Sequence, residues 1–227
     1  ENASYIHYSD TEGLRIGART PIRDIGSYPP VENGFPILVE AADSIGDDAT
    51  LEERLLRPEA SLDFYPSLIA LGAEAAVEDP GGTSVTPIED LDNGTKAAGR
   101  LIEVRIPAVP PHCGAAYKKL PASGETPPLD VAVMVTLDPK HVQVLEARIV
   151  LGGLGPRPVR AGRAEDIVRG QPIGEQVIRR VAQAVSEEAE RIFPGLSPAG
   201  REGLRKLTDQ AIGDAIYLTQ PDFFSGG

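Results

Sequence analysis

Cysteine, methionine and tryptophan are almost missing from this 227-residue sequence, which has one cysteine, one methionine and no tryptophan. The single cysteine, Cys113, cannot form a disulfide within the chain. Alone it cannot hold an iron–sulfur cluster or a structural zinc ion either. These scarcities exclude a disulfide-stapled scaffold and a zinc-ribbon or iron–sulfur protein. A reducing, cytoplasmic location is the expectation that follows.

Basic charge and long apolar runs are also scarce. The chain has 22 Lys and Arg against 34 Asp and Glu, and its formal net charge is -12. Nucleic acids and anionic membranes are bound chiefly through clusters of Lys and Arg, so neither is expected as a partner. No apolar run approaches the roughly 20 residues of a membrane span, and no secretory signal pattern is present. A chain of this length can enclose a substantial apolar core.

The first half of the chain mixes short strand and helix patterns. Period-two alternation indicates strands, a turn-rich segment between two of them is typical of a hairpin, and apolar residues three and four apart indicate helices. The pairs Pro29-Pro30 and Asn33-Gly34 predict a loop. Strands are predicted at residues 13–18, 74–77, 83–88 and 101–106, and helices at 21–25, 35–44 and 65–71.

The second half predicts an antiparallel meander followed by helices. Residues 131–135 are apolar throughout, which indicates a central strand covered on both faces. In the next strand, alternation puts Leu145, Ala147, Ile149 and Leu151 on one face. Ser197 before Pro198 predicts a helix N-cap. Strands are predicted at residues 115–120, 129–137 and 142–151, and helices at 164–169, 175–193 and from 198 onward.

The fold class that these elements predict is α+β. A mixed strand and helix subdomain over residues 1–110 precedes a three-stranded antiparallel sheet packed on C-terminal helices over residues 111–227. Candidate metal ligands are few. His112 and Cys113 lie beside prolines, whereas His7 and His141 are remote in sequence, so no metal site is predicted.

Six stretches are distinctive when they are taken in order along the chain. They are residues 13–20 (GLRIGART), 35–42 (FPILVEAA), 63–73 (DFYPSLIALGA), 99–107 (GRLIEVRIP), 116–120 (AYKKL) and 147–160 (ARIVLGGLGPRPVR). No single stretch is specific. Six in this order over most of the chain resemble the FAD-binding medium subunit of the molybdenum hydroxylases, the family of xanthine oxidase and carbon monoxide dehydrogenase.

The resemblance implies a subunit that passes electrons from the 2Fe–2S clusters of a small partner subunit through FAD to an external acceptor. A molybdopterin-containing large subunit would select the organic substrate, so this chain would not be catalytic alone. Residues 1–110 would be a partial, second FAD-binding-type subdomain, without the N-terminal subdomain. Residues 111–227 would be the C-terminal domain of the flavoprotein subunit.

The resemblance also implies cofactor-binding residues. Thr50 and Leu51 match the second phosphate loop, and Asp63 matches an aspartate on the ribityl and pyrophosphate side of the flavin. Leu101 and Ile102 match apolar contacts to the ring, and Lys119 matches a lysine that approaches the isoalloxazine. The residues themselves also allow other roles. These are a helix N-cap for Asp63, core packing for Leu101 and Ile102, and a surface position for Lys119.

The chain departs from the family at both phosphate loops. The glycine-rich loop that wraps the pyrophosphate in the family has no counterpart before Gly13. The second family loop reads approximately Arg-Asn-x-Ala-Thr-Ile-Gly-Gly-Asn-Leu. Here Asp47 replaces its arginine, and Glu52 and Glu53 replace both glycines. Glycine lets backbone N–H groups approach a phosphate closely, whereas a Cβ obstructs that approach and a carboxylate repels the anion.

Two hypotheses therefore remain open from the sequence. In the first, the chain is the FAD-carrying medium subunit of a molybdenum hydroxylase. In the second, it is a relative that kept the fold and the docking faces, lost the dinucleotide, and serves as a structural or interaction subunit of an oxidoreductase complex. Glu52 and Glu53 are the residues on which the choice depends.

Overall fold

The structure, a computed structural model, describes residues 3–45, 49–56, 64–91, 99–124 and 126–219. Helices and strands are both present, which confirms the α+β class. The chain divides into two compact units, Glu1–Val109 and Pro110–Gly227.

In the described part of the first unit, five strands form one antiparallel sheet in the order β1-β2-β5-β3-β4. The register of β3 with β5 shifts at one point: Ala76 pairs with Glu103 and Val77 with Leu101. Ile102 is the extra residue of this β-bulge. The strands are β1 Ile6–Ser9, β2 Gly13–Gly17, β3 Glu74–Asp79, β4 Gly82–Pro87 and β5 Arg100–Ile106.

Short helices accompany this sheet, and two of them, Pro29–Gly34 and Leu51–Leu56, were not predicted. The predicted loop around Pro29-Pro30 and Asn33-Gly34 is wrong, because a helix spans Pro29–Gly34. Its prolines stand at the first helical positions, where a missing N–H costs no intrahelical hydrogen bond. The helices are α1 Ile22–Gly26, α2 Pro29–Gly34, α3 Pro36–Asp43, α4 Leu51–Leu56 and α5 Phe64–Ala70, and a 3₁₀ turn spans Ile88–Asp90.

The second unit contains the predicted meander with one further strand. The expectation of three strands is wrong, since a two-residue strand, Val159–Arg160, pairs with its neighbour through Val150 and Leu151. Two residues following a run of glycines and prolines are too few to show an alternation. The antiparallel sheet runs β6 Cys113–Leu120, β7 Leu129–Leu137, β8 Val144–Gly152 and β9 Val159–Arg160.

A β-bulge changes the predicted face of one residue in β8. Thr136 pairs with Glu146, but Leu137 pairs with Val144, so Leu145 is the extra residue. Leu145 is 53% exposed, whereas Val144 is buried. The prediction that Leu145 shares a face with the next three alternate residues is therefore wrong. Ala147, Ile149 and Leu151 do share a buried face.

Three helices, α6 Gly162–Val168, α7 Glu175–Ile192 and α8 Pro198–Leu218, share one apolar core with this sheet. The predicted cap of α8 is confirmed, because the Gly200 N–H donates to Ser197 Oγ at 3.0 Å. Helix α8 lies so close to β6 that a Cβ on Gly114 would be 2.0 Å from the carbonyl oxygen of Ala215. Within the described ranges, no helix combines the length and the apolarity that crossing a bilayer needs.

Candidate functional site

The candidate phosphate loop is tied by its backbone to the segment that follows β2. The Leu51 N–H donates to the carbonyl of Thr20 at 3.0 Å, and the Glu52 N–H donates to that of Ala18 at 2.8 Å. The Ala18 N–H donates in turn to the carbonyl of Ile102 in β5 at 2.9 Å. The structure thus brings three of the predicted site residues, Thr50, Leu51 and Ile102, into one hydrogen-bonded region.

Thr50 and Glu53 form a capping box at the start of α4. The Thr50 N–H and hydroxyl both donate to Glu53 Oε2, at 3.0 and 3.2 Å. In return, the Glu53 N–H donates to Thr50 Oγ1 at 3.4 Å, and the Arg54 N–H donates to the Thr50 carbonyl at 3.1 Å. The sequence analysis missed this role of Glu53, although Thr-x-x-Glu is the usual signal for a capping box.

Every backbone N–H from Thr50 to Arg54 therefore donates to an oxygen of the chain itself. A pyrophosphate site needs several such N–H groups directed at the ligand. The Glu53 carboxylate also lies at the helix N-terminus, which is the end that attracts an anion. This loop consequently does not fit the pyrophosphate of FAD.

The two glutamates that replace the family glycines differ in their surroundings. Glu53 makes the capping contacts, whereas the side chain of the half-buried Glu52 makes no hydrogen bond or ion pair within the residues that the structure describes. Asp47 and Asp63 lie outside the described residues. The cap role of Asp63 and its cofactor role both stay predictions.

Leu101 and Ile102, the predicted contacts to the flavin ring, differ in how deeply they are buried. Leu101 is 3% exposed and belongs to the core, so packing explains it without a ligand. Ile102, the bulge residue of β5, is half-buried. Neither observation requires a flavin.

Lys119 belongs to the second unit, in β6, and is half-buried. It lies directly across from Asp130 in the β6–β7 ladder. Asp130 is fully buried, and its Oδ2 accepts a hydrogen bond from the Tyr117 hydroxyl at 3.2 Å. Gly152 lies opposite Asp130 in β8, and a Cβ there would be 2.0 Å from Asp130 Oδ1.

Tyr117 and Asp130 were missed by the sequence analysis. The available signal was an acidic residue, Asp130, at the start of a strand that is otherwise apolar. A carboxyl group that is fully buried in a sheet has to be held by polar neighbours, which here include the Tyr117 hydroxyl. The polar group on this face of the sheet is thus Tyr117, Lys119 and Asp130.

Comparison with known proteins gives a family match and several relatives. Residues 115–204 match the CO dehydrogenase flavoprotein C-terminal domain. The 6-hydroxypseudooxynicotine dehydrogenase complex subunit alpha of Paenarthrobacter nicotinovorans is 23% identical over 229 residues, which are 95% of this chain and 77% of the relative. The carbon monoxide dehydrogenase medium chain of Hydrogenophaga pseudoflava is 26% identical over 189 residues, which are 77% of this chain and 65% of the relative.

Solved structures share the fold. A chain of the reconstituted CO dehydrogenase from Oligotropha carboxidovorans superposes with a TM-score of 0.79 at 19% identity, covering 95% of this chain and 79% of that chain. A chain of the quinoline 2-oxidoreductase from Pseudomonas putida 86 superposes with a TM-score of 0.76 at 21% identity, covering 95% of this chain and 78% of that chain. The matched domain and these relatives confirm the resemblance, seen in the sequence, to the FAD-binding medium subunits of the molybdenum hydroxylases.

Proposed function

We propose that this chain is the medium-type subunit of a molybdenum hydroxylase-type complex and that it serves there as a structural and docking subunit without an FAD of its own. The observation that carries the proposal is the Thr50–Glu53 capping box, which occupies the second phosphate loop with the chain's own carboxylate. Over 95% of its length, the chain shares its fold with a chain of CO dehydrogenase.

The energetic cost of placing a pyrophosphate at this loop is large. Removing the Glu53 cap costs about 1 kcal/mol, the usual value of a helix N-cap. If the carboxylate instead stayed within about 4 Å of one phosphate charge, repulsion would cost about 4 kcal/mol at an effective dielectric constant of about 20. A cost of about 4 kcal/mol corresponds to a loss of affinity approaching about a thousandfold.

The proposed partners are a molybdopterin-containing large subunit and a small subunit with 2Fe–2S clusters, in a cytoplasmic complex. Support comes from the relatives, one of which is a subunit of a dehydrogenase complex and another the medium chain of a carbon monoxide dehydrogenase. With a single cysteine, this chain needs a partner to supply any iron–sulfur cluster.

Affinity purification of the full chain from its own cells tests the docking role. We expect it to bring down two other subunits, together with molybdenum and iron in the eluate. Recovery of the chain alone, or with partners that contain neither metal, would contradict the proposal.

A second candidate function is the FAD-dependent one, in which the chain passes electrons from 2Fe–2S clusters through FAD to an external acceptor. The presence of Lys119 beside Asp130 and Tyr117 favours it, because Lys119 is the residue that matches the family's lysine near the isoalloxazine. The flavin content of the same purified complex separates the two candidates, since only the second predicts a bound FAD.

A further inference from the structure

Two histidines that are remote in sequence meet in the second unit. His112 lies in the turn before β6, and His141 lies in the turn between β7 and β8. Their ring centroids are 4.4 Å apart and their ring planes are 82° apart. The third histidine of the chain, His7, lies in β1 of the first unit and is exposed.

Both histidines have an unusual backbone conformation. Their φ angles are 59° and 54°, and among the described residues they are the only non-glycine residues with positive φ. Such a conformation costs roughly 1–3 kcal/mol and persists only where the surroundings enforce it. Strain of this kind, at two histidines whose rings meet, is typical of a functional site.

Hydrogen bonds hold both turns in place. The Leu137 N–H donates to the carbonyl of His112 at 2.9 Å, and the His141 N–H donates to the carbonyl of Asp138 at 2.8 Å. Asp138 Oδ1 accepts two further backbone N–H groups of the same turn, each at 2.7 Å. These bonds lower the pKa of Asp138, so the carboxylate stays ionised and keeps the turn closed.

The imidazole nitrogens are available for a ligand. Both rings are half-buried, so each is partly open to solvent. Within the described part of the chain, neither imidazole makes a hydrogen bond or an ion pair. Nothing described in the protein therefore has to be displaced before these nitrogens can bind an ion.

The ring separation fits a shared metal ion. An imidazole nitrogen binds zinc at about 2.0–2.1 Å, and the ring centre lies about 1 Å farther away. Two imidazoles at roughly 90–110° on one ion would then have centroids about 4.5–5 Å apart. The observed separation of 4.4 Å lies just below this range, so the two rings would have to move slightly apart to share one ion.

We propose that His112 and His141 form a two-histidine site for a divalent transition-metal ion of the zinc, nickel or copper class, whose other positions are taken by water. Imidazole is a preferred ligand of these ions. Cys113 is not counted among the ligands, because it lies in β6 and is only 6% exposed.

Titration of the full-length, untagged chain with Cu²⁺ by calorimetry tests the proposal. We expect one ion per chain with a dissociation constant in the micromolar range, on the order of -8 kcal/mol. His112→Asn and His141→Asn should each weaken binding at least about tenfold. The double variant should bind about as weakly as either single variant, because one remaining imidazole cannot chelate. Asparagine tolerates the left-handed backbone, so the turns are retained.

His7→Asn is the matched control and should leave Cu²⁺ binding unchanged. The electron paramagnetic resonance spectrum of the bound Cu²⁺ should show two coordinated nitrogens in the wild type and one or none in the variants. The proposal would be overturned if the wild type did not saturate below millimolar Cu²⁺. It would also be overturned if His7→Asn and His112→Asn lost Cu²⁺ affinity equally. Far-ultraviolet circular dichroism of each variant checks that it is folded.

Discussion

At the scale of single residues, Glu103 is the centre of a buried charge cluster in the first unit. Its carboxylate is 2% exposed and accepts hydrogen bonds from the Tyr5 hydroxyl at 2.6 Å, from Arg15 at 2.9 Å and from Arg105 at 2.7 Å. Burial by itself raises the pKa of this carboxyl. The hydrogen bonds from Arg15, Tyr5 and Arg105 outweigh burial and lower the pKa to about 2.

The Glu103 cluster predicts an acid-dependent loss of stability. The folded pKa lies below the ordinary 4.5, so the ionised carboxylate stabilises the protein above that pH, and this contribution is lost as the pH falls from about 4.5 through about 2. Glu103→Gln should lower the free energy of unfolding by about 3 kcal/mol at pH 7, and by much less at pH 2. Urea unfolding at both pH values measures this difference.

Glu78→Gln is the control, because the Glu78–Arg100 pair lies on the surface of the same sheet with both side chains more than half exposed. It should cost less than about 1 kcal/mol. Equal costs for the two substitutions, or a cost for Glu103→Gln that does not depend on pH, would contradict the account.

The alternation of residues 101–106 predicts the face of Glu103 but not its burial. Glu103 and Arg105 share one side of the strand, as a period of two requires, whereas the bulge at Ile102 places Leu101 on the other side. Glu103 is nevertheless buried, because Tyr5, which precedes β1, and Arg15 of β2 bond to it. Such contacts depend on strand order, which a single sequence does not reveal.

At the scale of secondary-structure elements, the close approach of β6 and α8 leaves no room for a side chain at Gly114. A Cβ there would be 2.0 Å from a backbone oxygen, that of Ala215, which cannot move without moving the helix. Gly114→Ala should therefore destabilise the protein by about 1–3 kcal/mol, the usual cost of overpacking. Chemical denaturation followed by circular dichroism measures the change.

Gly213 provides the matched control in α8, since a Cβ at that position would meet nothing within 4 Å. Gly213→Ala should stabilise the protein by about 0.5–1 kcal/mol through helix propensity. A Gly114→Ala variant as stable as the wild type would show that β6 and α8 are farther apart than described.

The capping box makes a separate prediction for α4. Glu53→Ala removes the acceptor of the Thr50 N–H and should cost about 1 kcal/mol, with faster hydrogen exchange of the Thr50 and Glu53 amides. Glu52→Ala removes an equal charge without a capping contact and should change neither quantity appreciably. If both substitutions accelerate exchange equally, charge rather than capping explains the role of Glu53.

Most elements were predictable because their apolar periods are strong, and the failures have local causes. The dipeptides around Pro29 and Asn33 are turn signals, but prolines at the first positions of α2 are equally compatible with a helix. Leu145 was misplaced because one bulge residue reverses the alternation on one side of it. Neither ambiguity can be resolved by periodicity.

At the scale of the whole molecule, the resemblance to the family could be recognised from six ordered segments, whereas the state of the phosphate loop could not be predicted. The sequence shows that Glu52 and Glu53 replace glycines. The structure shows that the Glu53 carboxylate accepts a hydrogen bond from Thr50. It also shows that the backbone N–H groups of Leu51 and Glu52 donate to the carbonyls of Thr20 and Ala18. Those acceptors come from a distant segment. Likewise, the contact between His112 and His141 depends on how two turns meet.

The flavin content of the chain, isolated in its native complex, tests the central claim most directly. After desalting, the complex is denatured and the released flavin is measured by absorbance and fluorescence against the amount of chain. The capping box predicts far less than one flavin per chain, and no gain when excess FAD is added before desalting. Stoichiometric FAD retained by the wild-type complex would contradict the account.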